Sequence, residues 1–189
     1  MGFTGLKSWL AKRMPTSQQL AAVYGITVFV IYGWTIYWYL WNLPSWLYFM
    51  TLGEMLVTFA YGMAVNFLES ILVMLVPVFL SLILPSRWFR DNFVAHGASL
   101  VLFSLIALMQ YLGIIITGQE IPSGFVKVVL LVIAGIFLLT FVVGRVRFLR
   151  RVFEEVASRA TIFVYIFLPV SAISILTVLI RNLIEALNG

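Results

Sequence analysis

WLYFMTLGEMLVTFAYGMAVNFLESILVMLVPVFLSLILP, residues 46–85, decides how many times this chain crosses a bilayer. A helical span takes about 20 predominantly apolar residues. This run is about twice that length, and its only charged residues are Glu54 and Glu69. Two readings compete. In one, the run is two spans with a turn near residues 66–70, giving six spans in all. In the other, residues 46–63 form an outer interfacial or re-entrant helix and residues 64–85 cross once, giving five. Thr51, Glu54, Thr58 and Tyr61 recur at helical spacing and make one polar face, which suits a helix at the surface or along a pocket better than one bathed in lipid.

The basic residues choose between them. Cytoplasmic loops carry an excess of Lys and Arg. With five spans and a cytoplasmic N-terminus, all of the 12 Lys and Arg except Lys127 and Arg181 fall on the cytoplasmic side. With six spans, the clusters Arg87–Arg90 and Arg145–Arg159 move outside, against that rule. The expectation is therefore an all-α, polytopic integral membrane helical bundle of about five transmembrane helices plus interfacial amphipathic helices, N-terminus cytoplasmic and C-terminus extracytoplasmic. Its spans are expected at about 17–41, 64–85, 93–116, 125–144 and 160–181. Residues 1–16 form a cytoplasmic N-terminal interfacial segment, and 17–185 a single transmembrane helical domain. Residues 145–159 are a cytoplasmic basic amphipathic helix with Val146, Leu149, Val152, Phe153 and Val156 on its apolar side.

Composition agrees. The chain has 189 residues, of which 63% are hydrophobic and 10% charged. Soluble domains are about half apolar and about a quarter charged. Trp and Tyr gather at headgroup depth because their rings are apolar and their polar atoms favour water. Trp34, Tyr37, Trp38, Tyr39 and Trp41, with Trp46 and Tyr48 beyond, form such a belt, and Asn42 to Ser45, which includes Pro44, reads as the turn after it. Thr16 and Gln19 have the spacing of a capping box opening the first span. That span is too long for the apolar core of a cleaved signal, so it is expected to stay. The net charge of +5 sits at span ends and points to anionic headgroups, not to nucleic acid.

Few residues could carry chemistry. With 0 Cys, no thiolate site or disulfide exists. The one histidine, His96, near the start of a span, is the single candidate for cofactor binding, as ligand to a pigment or metal; no metal site and no catalytic set is expected, and no cofactor can be named. Glu54, Thr58, Tyr61, Asn66 and Glu69 form the candidate pathway or partner polar site, because a carboxylate at membrane depth should face protein or a water-filled cavity. Arg145, Arg147, Arg150 and Arg151 are candidate contacts to anionic lipid or a cytosolic partner. The chain lacks a P-loop, a dinucleotide fingerprint, a zinc-protease motif and a nucleophile elbow.

These features lead to one functional expectation: a non-enzymatic accessory or scaffold subunit of a membrane complex, holding lipid or a hydrophobic cofactor, with lipids and other membrane subunits or further copies of itself as partners. The alternative is a small oligomeric transporter or channel whose proton or cation pathway is lined by Glu54 and Glu69. An enzyme acting on lipid, using Glu54, Glu69 or Asp91 as base, ranks last because no second catalytic group stands nearby.

Overall fold

The computed structural model describes residues 14–85, 89–116 and 124–188. Over these, five helices follow one another with no strand: α1, Ser17–Trp46; α2, Leu52–Ile83; α3, Phe93–Ile116; α4, Phe125–Arg145; and α5, Arg147–Asn188. All five are long and apolar enough to span a membrane. The expected interfacial segment up to residue 13, the residues around Arg87 and most of the 117–124 turn lie outside the described residues.

Local chemistry sets the helix starts. At α1 the Thr16 hydroxyl accepts from Gln19 N at 3.3 Å, and Gln19 Oε1 accepts from Thr16 N at 3.0 Å. The same reciprocal box opens α2, where Glu54 Oε2 accepts from Thr51 N at 2.7 Å and from the Thr51 hydroxyl at 2.9 Å. Each box satisfies donors that have no partner inside the helix.

Three boundaries differ from the sequence reading. First, α2 is one helix of 32 residues, about 48 Å long at 1.5 Å per residue. It does not turn near residues 66–70, and it does not break between 63 and 64. Nothing in 54–76 interrupts a helix except Gly62, and one glycine is tolerated. The stretch read as an outer helix and the stretch read as a span are thus collinear. Second, α1 runs through Pro44 to Trp46. A proline in the last turns removes only one ladder bond, so the turn comes later, at 47–51. Third, the basic stretch 147–159 is the opening of α5, a helix of 42 residues, about 63 Å long. The only non-helical residue between α4 and α5 is Val146, extended at φ −85° and ψ 111°.

The packing radiates from α1. It lies against α5, α3 and α2, whereas α4 packs chiefly on α3. Tyr32, Phe93, Met63, Val23 and Val101 form the fully buried centre. A second cluster is made of small residues, Ala22, Ala98, Ala157 and Ala160 with Ile26. Lipid is as apolar as leucine, so helices associate in it through close packing, which small residues permit. Gly25 is the tightest case. A Cβ there would stand 2.7 Å from the backbone carbonyl carbon of Ala160, so α1 and α5 touch backbone to backbone.

Gly25→Val therefore forces α1 from α5. Overpacking of this kind costs about 1–3 kcal/mol, and thermal unfolding in detergent should show a clear fall in midpoint. Gly33→Val, at a position with nothing within 4 Å of the added carbon, should leave it nearly unchanged. Equal effects would contradict the α1–α5 contact.

Candidate functional site

The five polar residues singled out on α2 do not form one site. Glu54 is the capping residue of its own helix. The Thr58 hydroxyl donates to Glu54 O at 2.9 Å, a bond within the helix. Tyr61 donates to Asn182 Oδ1 at 2.8 Å, tying the start of α2 to the end of α5. Asn66 is 3% exposed and accepts from the Thr35 hydroxyl of α1 at 2.9 Å. Its Nδ2 has no partner. Glu69 stands on the exposed flank of α2, and among the described residues nothing donates to it or pairs with it. An ionised acid near the centre of a span costs about 2.5–3.5 kcal/mol on insertion scales. The two carboxylates thus have different surroundings despite sharing a helix.

A polar thread missed in the sequence runs along α1. Tyr32, 1% exposed, and Ser171 of α5 share a hydrogen bond of 2.6 Å. Tyr24 and Ser70 of α2 share one of 3.0 Å. With Thr35–Asn66, these bonds tie α1 to both α2 and α5 in the interior. Each serine also donates to a carbonyl of its own helix, Ser70 to Phe67 and Ser171 to Phe167, so the serine is placed to accept from the tyrosine. The eight-residue spacing of Tyr24 and Tyr32, about two helical turns, was the available signal.

His96 is 6% exposed. Its Nδ1 lies 3.0 Å from Asn92 O, and its ring stacks on Phe89 at 5.5 Å between centroids. The Nε2 side packs on the backbone of α4: a Cβ at Gly144 would overlap the imidazole. A pigment or metal could reach Nε2 only if α4 moved. Beside it, Arg150 Nη1 donates to Asn92 Oδ1 at 3.1 Å. Arg150 Nε is 3.9 Å from Glu154, too long for a hydrogen bond, and is itself buried without a partner. His96, Asn92, Gly144 and Arg150 therefore join α3, α4 and α5 at one end of the bundle. Of the other candidate arginines, Arg145 lies over the Phe141 ring at 5.0 Å, and Arg147 and Arg151 are exposed. Glu155 pairs with Arg159 at 2.8 Å. Among the described residues no cluster of three or more His, Asp or Glu could hold a metal ion.

A concavity lies elsewhere, between α3 and α4. It has a volume of about 630 Å³ and is lined by Ala107, Leu108, Tyr111, Ile114, Val132 and Ile136, among others. Ser104 and Gln110 are the polar residues in its wall. Tyr111 stacks on Phe125 at 5.2 Å, closing it toward the α3–α4 connection. Small-molecule sites are apolar clefts of about 300–1,000 Å³ with a few polar groups, and this one fits that description. It exists because α4 leans chiefly on α3; only 11% of the apolar stretch of α4 is buried. Sequence periodicity does not show which helices splay.

Comparison with known protein families, characterised proteins and solved structures finds no match.

The Tyr32–Ser171 bond can be isolated by a double-mutant cycle with Tyr32→Phe and Ser171→Ala. The expected coupling is about 0.6 kcal/mol, the usual value for a hydrogen bond between membrane helices. Zero coupling in detergent unfolding would remove the thread as a stabilising feature. Thr51→Ala, which breaks the α2 box, should cost about 1 kcal/mol, read from the same unfolding curves.

Proposed function

We propose that this chain is a non-enzymatic accessory or scaffold subunit of a membrane complex, and that the cleft between α3 and α4 holds a lipid acyl chain or the hydrophobic tail of a cofactor. The cleft carries the reading. It is apolar, open to the surroundings, and walled by a helix with one main neighbour in its own chain. Interior polar side chains support it from the other side: Tyr24, Tyr32, Thr35, Asn66, Ser70 and Ser171 are engaged in joining helices, and Thr27, Ser81 and Ser99 bond within their own. A conduction pathway lined by Glu54 and Glu69 is the weaker reading. One of those acids caps a helix, the other lies on an outer flank, and Asn66 between them faces inward.

The orientation proposed with it is N-terminus cytoplasmic and C-terminus extracytoplasmic. Arg90, Arg145, Arg147, Arg150 and Arg151 belong to the end of the bundle that contains the α4–α5 joint, and Lys127 and Arg181 to the other. That asymmetry supports placing the joint on the cytoplasmic side.

Two measurements test these statements. Protein purified in mild detergent should carry lipid or an isoprenoid-type molecule detectable by native mass spectrometry. Ala107→Trp, which fills the cleft, should reduce that occupancy at least about tenfold (about 1.4 kcal/mol), while Ala134→Trp, off the cleft, should not. Bound lipid that is indifferent to Ala107→Trp would rule the cleft out. For orientation, the chain has 0 Cys, so single cysteines report cleanly. Tyr48→Cys, at a position 84% exposed in the α1–α2 turn, should react with an impermeant maleimide in intact cells; Arg151→Cys should react only after permeabilisation. The opposite pattern would invert the topology.

A further inference from the structure

Among the described residues Glu69 has no hydrogen-bond or ion-pair partner, and its neighbourhood is specific. Val65, Leu68, Leu72, Val76 and Phe79 are exposed with it and fall along one stripe of α2 at helical spacing. The carboxylate is the single charge on that stripe. It lies 17 residues after the first residue of α2 and 14 before its last, about 25 and 21 Å along the axis. Its turn also carries Asn66 and Ser70, bonded to Thr35 and Tyr24 of α1. The acid is therefore far from both ends of α2, beyond the reach of a glutamate side chain to the headgroups.

We propose that the α2 stripe centred on Glu69 is the seat of a different subunit's transmembrane helix, one that carries a lysine or arginine at the same depth. This rests on the accessory-subunit reading above and names the chemistry of the partner. Charge complementarity selects that occupant. A lone carboxylate among aliphatic side chains is stabilised by an apposed cation or donor, and such groups inside membranes pair with one another. A second copy of this chain does not supply one. Two α2 stripes meeting symmetrically set Glu69 against Glu69. The described cations on the other spans lie near span ends: Lys127 is in the first turn of α4, and Arg181 is already paired with Glu185 at 2.7 Å. The flanking aliphatic residues provide the packing surface, and the acid fixes depth and register, as a single polar residue does in a helical seam.

The test uses the full chain in liposomes of neutral phospholipid, with donor and acceptor fluorophores reporting association. The probe is a synthetic transmembrane helix of Leu and Ala with one central Lys; the control probe has Leu in its place. The Lys probe should bind the wild-type chain at least about tenfold more tightly than the Leu probe, and Glu69→Gln should abolish most of that difference. Glu69 makes no hydrogen bond or ion pair among the described residues, so Glu69→Gln should leave the unfolding midpoint in detergent unchanged, which separates lost binding from lost fold. Equal binding of the two probes, or a preference that survives Glu69→Gln, overturns the proposal. So does self-association of the chain through the stripe, read as disulfide cross-linking between copies of the Leu72→Cys variant. Lipid occupancy of the cleft is measured on the same samples. If the probe preference is absent while the cleft retains its lipid, the pairing fails and the lipid-holding reading stands; if the cleft is empty while the preference is present, the lipid-holding reading fails and the pairing stands.

Discussion

Everything in this bundle depends on α1 meeting α5 without side chains between them at Gly25 and Ala160. Backbones at that separation bring the rest of the two helices into register. Seven residues further along α1, Tyr32 reaches Ser171, and Phe29 comes within 4.8 Å of Phe163 between ring centroids. Hydrophobic burial gives little reason for helices to associate in lipid. Shape fit and interior hydrogen bonds must carry that role, and α1 supplies both. It offers a small-residue face, Ala22 and Gly25 flanked by Ile26, and beside it a polar one, Tyr24, Tyr32 and Thr35.

The number of helices was legible in the sequence because the arginines mark span ends. Five long apolar helices follow from the same run lengths that the charge distribution selected. Helix boundaries were less legible, for definite reasons. Pro44 looks like a stop but lies where only one backbone bond is lost. Residues 46–63 look separable from 64–85 because their polar face differs, yet a change of face does not break a backbone ladder. The box Thr51–Glu54 has the same spacing rule as Thr16–Gln19, and it would have placed the start of α2 and assigned Glu54 a structural role. The basic segment reads as its own amphipathic helix only if a break is assumed near residue 159, and no glycine or proline is present to make one.

The candidate site was legible in part. Single-residue signals such as His96 or Asn66 identify polar groups that need partners; they do not say which helix provides them. Asn66 meets Thr35 across 31 positions of sequence, and Tyr32 meets Ser171 across 139. Those distances are set by helix packing, which periodicity alone leaves open. The cleft is further removed still. Apart from Gln110, no residue in its wall is unusual for a span. It arises because α4 is joined to α5 through Val146 alone, with Gly144 seated on His96, and so leans chiefly on α3, with less contact to α5.

Glu54 and Glu69 show how position on a helix decides what a charge does. Both are glutamates on α2, fifteen residues apart. At the first turn the backbone presents unpaired N–H groups and the positive end of the helix dipole, and Glu54 is absorbed by them. Four turns later the N–H groups are all engaged in the ladder, the neighbours on that flank are aliphatic, and the same kind of carboxylate finds no donor among the described residues. Asn66 and Ser70, one turn and one residue away, face inward and bond to α1. The inward turn of the helix is thus supplied by its own chain, and the outward turn is not. A protein that retains an acid in that setting needs either a proton on it or a cation beside it. A protonated acid still leaves its hydroxyl without an acceptor in lipid, whereas a basic group from outside the bundle satisfies charge and hydrogen bonding together.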